Sequence, residues 1–139
     1  MGMPQRNLSL VFAAGSVGGL ANSLAVWGSG KLGISGALGI ALTPDWTPAW
    51  LYPRIVWGGI WGALFLLPVL KSSTIKRGIL FSFGPTIFVL VVVLPYWLNK
   101  GMFGMELGNM IPLFAFVVNA IWGIAAAWWL KQCQTAVNL

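Results

Sequence analysis

Four long apolar runs decide what this chain can fold into. Residues 8–28, 50–70, 78–98 and 112–130 are dominated by aliphatic, aromatic and glycine residues, and Arg54 is the one charged residue within them. A helix of about 20 residues crosses a hydrocarbon core of roughly 30 Å. In lipid, a helix satisfies its own backbone hydrogen bonds. The runs therefore predict an all-α membrane protein with about four transmembrane helices, in a single domain over residues 1–139. Composition supports this: 58% of residues are hydrophobic and 7% are charged, where a soluble domain carries about one quarter charged residues. One small core could not hide that much apolar surface from water. Arg6, the apolar run from Leu8 and Ser23-Leu24-Ala25 also fit the layout of a signal peptide. We read the segment as a first membrane helix.

Small residues mark where helices approach. Gly15 and Gly19 form a GxxxG pair in the first run, with Ala14, Gly18 and Asn22 on an adjacent strip, and Gly58 and Gly62 form a second pair. Such spacing lets another helix backbone come close. Two helical hairpins of the same orientation are suggested by a weak repeat: Ile60-Trp61-Gly62 before Lys71 is matched by Ile121-Trp122-Gly123 before Lys131. Pro85 frees a backbone carbonyl one turn earlier, and Pro112 suits the first turn of a helix. Between the first two runs, Gly30, Gly33, Gly36 and Gly39 recur at three-residue spacing, followed by the turn-rich Thr43-Pro44-Asp45-Trp46-Thr47-Pro48. This segment, about 31–48, is too short to cross. It reads either as an interfacial stretch or as a re-entrant loop lining a cavity.

Charge sets the expected orientation. With four crossings, Arg6, Lys71, Lys76, Arg77 and Lys131 share one side, against Lys31, Arg54 and Lys100 with both acids on the other. The basic excess makes the first side cytoplasmic, with both termini there. Trp27, Trp46, Trp50, Trp57, Trp97, Tyr52 and Tyr96 then gather at the outer interface, and Trp128 and Trp129 at the inner one, as an aromatic belt. The net charge of +6 reads as topology signals rather than a nucleic-acid surface, because no basic cluster exceeds Lys71, Lys76 and Arg77. The expected location is a bacterial inner membrane or an equivalent internal energy-converting membrane.

The sequence contains no histidine and one cysteine, Cys133. Histidine-based catalysis, His-liganded zinc and Cys-based metal motifs are therefore ruled out. Asn22 and Asn119 are the clearest polar residues inside the runs. They read as an interhelical hydrogen bond or as the lining of a substrate path. Asp45 and Glu106 fall in outer loops, where pairing with Arg54 or Lys100 is expected. Trp61 and Trp122 lie deeper than the belt. They read as helix packing with the indole N–H on a carbonyl, or as a surface for a bound lipid or a carotenoid-like pigment. No other cofactor and no metal is expected.

The glycine-rich first helix, the long apolar outer loop, Arg77-Gly78 opening the third run and Asn-x-x-Trp-Gly at Asn119 to Gly123 together resemble the uncharacterised four-helix bacterial inner-membrane proteins of the YagU-like kind. That pattern often carries histidine where this chain has Asn119. The resemblance implies a membrane location and no established activity, so it transfers no site. The function expected from the residues is a structural or accessory subunit, packing through its glycine faces against a larger membrane complex or its own copies. The alternative is a small transporter or channel working as a homo-oligomer. Enzyme activity is not expected.

Overall fold

The computed structural model describes the backbone of residues 4–136 and the side chains of residues 7–133. The Arg6 side chain, used above for orientation, lies outside the described residues. The fold is all-helical. Helix α1 spans Pro4–Lys31, α2 is a single turn at Ile34–Ala37, α3 spans Pro48–Trp61, α4 spans Thr74–Phe88 and α5 spans Ile111–Ala136. Two helices change pitch without breaking. A 3-10 segment, Gly62–Leu66, continues α3, and a π-helical segment, Val89–Trp97, continues α4. A short 3-10 element, Met102–Leu107, precedes α5.

Three helical stretches are long and apolar enough to cross a membrane: Asn7–Lys31, Thr74–Trp97 and Ile111–Cys133. They mark a multi-pass membrane protein. The run expected at 50–70 is shorter as a helix. It opens where the Thr47 hydroxyl accepts from Trp50 N at 3.2 Å with Pro48 next in line, a regular cap. It stops at Leu67, which is extended (φ −74°, ψ 127°) because the following Pro68 disfavours helical backbone there. The third run begins earlier than expected, because Ser73 caps α4 by accepting from Lys76 N at 3.3 Å.

Helix α1 lies at the centre, against α3 on one side and α5 on the other, and α4 packs on α5. Glycine makes two of the closest helix contacts. A Cβ on Gly58 would sit 2.9 Å from the Gly19 Cα, and one on Gly15 would sit 2.9 Å from the Gly62 Cα. Both glycine pairs therefore face each other across α1 and α3. The glycine faces expected to pack against a larger complex or another copy pack instead against each other, in one interface inside the chain. A second close approach joins α4 to α5, where a Cβ on Gly78 would sit 2.6 Å from the Gly123 carbonyl carbon.

The core falls into two apolar clusters. One holds Val11, Ala14, Phe65, Phe81, Trp122, Ala126, Ala127 and Leu130. The other holds Val26, Ile40, Leu94, Leu107, Ile111, Phe114 and Val118. The glycine-spaced segment contributes to the second. Gly33 (φ 81°) and Gly39 (φ 72°) turn the chain through left-handed backbone, Ile40 enters the cluster, and Ala41 N donates to Leu107 O at 2.8 Å. The 31–48 segment thus covers the end of the bundle where α1 finishes. Between the two clusters lies a polar layer.

Candidate functional site: a donor-lined aromatic cleft

Asn22 on α1 and Asn119 on α5 meet in this layer, both at least nine-tenths buried. The third member is Arg54 of α3. Its Nη2 donates to Asn22 Oδ1 at 2.6 Å and its Nε donates to Ser23 Oγ at 3.0 Å. A guanidinium offers only donors, so it fixes the Asn22 amide with oxygen toward Arg54. The Asn22 Nδ2 then points the other way and donates to Val118 O at 2.8 Å and Asn119 Oδ1 at 3.1 Å. That in turn commits the Asn119 oxygen and leaves Asn119 Nδ2 as the free end of the chain. The guanidinium also lies over the Trp50 ring, 4.6 Å from its centroid, a cation–π contact.

Arg54 corrects the sequence reading, which placed it among the outer cations and paired it with an acid. Its acceptors are Asn22 and Ser23, and among the described residues no carboxylate pairs with it. Depth makes this costly. Asn22 lies nine residues inside the Lys31 end of α1, about 13 Å along the axis at 1.5 Å per residue. The pattern that finds Arg54 is present in the sequence: Arg54, Gly58 and Gly62 recur at spacing four, one face of a helix. The glycines of that face touch α1, so the arginine must as well.

Beside this layer opens a cleft of about 370 Å³, within the range of small-molecule sites. Gly19, Asn22, Asn119 and Trp122 form its floor, and Arg54, Trp57 and Trp61 line the α3 side. Pro85, Phe88, Val89, Val93 and Trp97 line the side of α4 and its π-helical continuation. Across this gap the two helices meet through rings. Trp57 and Phe88 stack with centroids 6.0 Å apart, Trp61 meets Phe88 edge-on at 5.7 Å, and Trp97 lies 6.0 Å from Trp57 and 5.4 Å from Phe88. Trp57 and Trp97 are about half exposed, so the mouth opens sideways on the surface that would face lipid. The π-helical pitch widens α4 here. Pro95 sits inside it without an N–H to give.

The polar atoms left free in the cleft are donors. Arg54 Nη1 and Asn119 Nδ2 donate to no described group. The lining residues include no carboxylate, hydroxyl, thiol or amine side chain. Among the described residues no group of His, Cys, Asp and Glu could hold a metal ion. The cleft thus sets free hydrogen-bond donors beside an aromatic wall.

Of the remaining sequence candidates, Trp61 and Trp122 line the cleft and also pack its helices together, and the two acids fall elsewhere. Trp122 is 3% exposed, and its Nε1 donates to both Gly15 O at 3.1 Å and Gly58 O at 3.3 Å, tying α5 to α1 and α3. Trp61 packs on Phe88 and Gly84 at the cleft edge. Asp45 lies in the extended stretch before α3, and Glu106 lies in the short 3-10 element, folded against Gly101. Neither lines the cleft. No family model, no curated protein and no solved structure matches this chain.

Proposed function

We propose that this chain is a small membrane binding protein of the transporter type, and that its cleft takes an amphiphile with one negative charge and an apolar, partly flat body. The observation that carries this reading is Arg54: a guanidinium held well inside the bundle by the Asn22 amide and the Ser23 hydroxyl, with no acid among the described residues to neutralise it. An ionised side chain at that depth is expensive and marks substrate or ion paths. A bound anion would repay that cost and would complete the free donors of Arg54 and Asn119. A carboxylate suits the fork of a guanidinium. The rings of Trp57, Trp61, Phe88 and Trp97 would cover its body.

The accessory-subunit reading, packing through glycine faces against a larger complex or its own copies, stays as the alternative; what favours the transporter reading is that both glycine pairs are occupied within the chain. In our reading α3 and its 3-10 extension form a fourth crossing. Fourteen α-helical residues and five 3-10 residues reach about 31 Å at 1.5 Å and 2.0 Å per residue, enough for the hydrocarbon core. The termini then share the cytoplasmic side, and the cleft lies in the outer half of the bilayer with its mouth toward lipid.

The four cleft tryptophans provide the test. cis-Parinaric acid, a fluorescent fatty acid, should quench them saturably in protein reconstituted in phosphatidylcholine. Its methyl ester should bind at least about 10-fold more weakly, since a charged hydrogen bond contributes about 1.5–3 kcal/mol. Arg54→Gln should abolish the difference between acid and ester. Equal binding of the two by the parent protein would refute the proposal.

A further inference from the structure

The opposite end of the bundle carries a second, smaller pocket that the cleft does not explain. It measures about 120 Å³ and is lined by Asn7, Lys71, Arg77 and the apolar Leu10, Leu66 and Leu130, among others. Arg77 is 8% exposed. Its Nη2 donates to Phe65 O at 2.7 Å and Leu67 O at 3.1 Å, which closes the end of the 3-10 segment after α3. That use spends one nitrogen of three. Nε is buried with no acceptor, and Nη1 donates to no described group. The guanidinium lies over the Phe65 and Phe81 rings, 5.2 and 5.7 Å from their centroids, but rings leave its free N–H groups without an acceptor, and a ligand on Nη1 would supply one.

The surroundings set the charge of that ligand. Lys71 adds a second cation to the pocket wall, and Asn7 adds an amide. Arg77 and Asn7 each lie in the first turn of a long helix, α4 and α1. Their exposed N–H ends add positive potential. Among the described residues neither carboxylate lines this pocket. The volume equals about four water molecules at roughly 30 Å³ each, room for one tetrahedral anion and no large body. Leucines on the wall continue the pocket into the apolar surface. In the sequence Lys71, Lys76 and Arg77 read only as orientation signals, and that role does not require Arg77 to be buried.

We propose that this pocket binds a phosphate group, with Arg77 and Lys71 as its two cations and Asn7 as a supporting donor. The phosphate can come from an anionic lipid headgroup, with its chains along Leu10, Leu66 and Leu130, or from free phosphate. Occupancy ties the loop carrying Lys71 to the first turns of α1 and α4, and stabilises the inner end of the bundle.

The test uses the full chain in dodecyl maltoside, with thermal unfolding followed by tryptophan fluorescence. A ligand that binds only the folded state raises the midpoint by mass action. Palmitoyl-oleoyl phosphatidylglycerol should raise it saturably, and the matching phosphatidylcholine should not. If free phosphate is the natural ligand, inorganic phosphate alone will reproduce the shift at millimolar concentration. If the lipid is, inorganic phosphate will leave the midpoint unchanged while phosphatidylglycerol shifts it. In either case Lys71→Gln should weaken the effective ligand at least fivefold without moving the ligand-free midpoint, because Lys71 is exposed and caps nothing. Lys76→Gln and Lys131→Gln should leave the affinity unchanged. Arg54→Gln should also keep the response, which separates this site from the cleft. The proposal is overturned if phosphatidylcholine stabilises as well as phosphatidylglycerol. It is equally overturned if neither phosphate source stabilises, or if Lys71→Gln binds no more weakly than Lys76→Gln.

Discussion

Replacing Gly58 by Ala adds one carbon inside the close α1–α3 contact. That carbon would lie 2.8 Å from Gly15 O and 2.9 Å from the Gly19 Cα, both backbone atoms. Ordinary carbon contacts sit at about 3.5–4.0 Å, and a gap of 0.5–1 Å forfeits a quarter to a half of each well. The helices must therefore separate by close to that amount along their shared face. The separation also stretches the Trp122 indole hydrogen bonds to Gly15 O and Gly58 O, at 3.1 and 3.3 Å. Overpacking of this kind costs about 1–3 kcal/mol, and the spoiled hydrogen bonds place Gly58→Ala toward the upper end. Gly28→Ala is the control. Gly28 lies in α1 with nothing within 4 Å of an added Cβ, so alanine there should stabilise by up to about 1 kcal/mol through helix propensity. Reversible unfolding in mixed dodecyl maltoside and dodecyl sulfate micelles, read by tryptophan fluorescence, measures both. Gly58→Ala at or above parental stability would refute the packing argument, as would equal losses at the two positions.

Asn22→Leu should cost about 1–3 kcal/mol in the same assay, because it strands both the Arg54 Nη2 and the Asn119 Oδ1; a loss under a few tenths would show that the polar layer is not coupled. Trp122→Phe keeps one aromatic ring but removes the N–H shared by two helix carbonyls and part of the buried indole volume, and should cost at least about 0.5–1.5 kcal/mol, with near-parental stability as the contrary result. Cys133, partly buried near the end of α5, should react with an impermeant thiol reagent only from the cytoplasmic side, and labelling of intact cells would reverse the proposed orientation.

The helical class and its apolar runs were readable because a span needs only length and the lack of charge. Asn22 and Asn119 were readable as polar residues in apolar runs, and the glycine pairs as close-packing faces. Which face meets which depends on the relative rotation of the helices, and no single run encodes that. Hence the glycine faces were expected to meet an outside partner, while Gly15, Gly19, Gly58 and Gly62 close a single interface within the chain. The Gly78–Gly123 contact was missed for the same reason, although both residues stand in conspicuous motifs. Arg54 was misplaced because Trp50, Leu51 and Tyr52 suggest an interface. The cap at Thr47 instead starts the helix early enough to carry Arg54 inward. The 3-10 end of α3 and the π-helical end of α4 have no simple sequence signature. Pro68 and Pro95 locate the disturbance but do not specify its pitch.

The central claim, an amphiphilic anion on Arg54, is tested most directly by what the protein carries. Parent and Arg54→Gln proteins are extracted gently from native membranes, purified side by side, and their bound small molecules identified by mass spectrometry after solvent extraction. The account predicts a singly charged amphiphilic acid at near one per chain with the parent, and its loss from Arg54→Gln while bound anionic phospholipid stays the same. A parent protein that carries no such acid, or a variant that retains it in equal amount, would contradict the account.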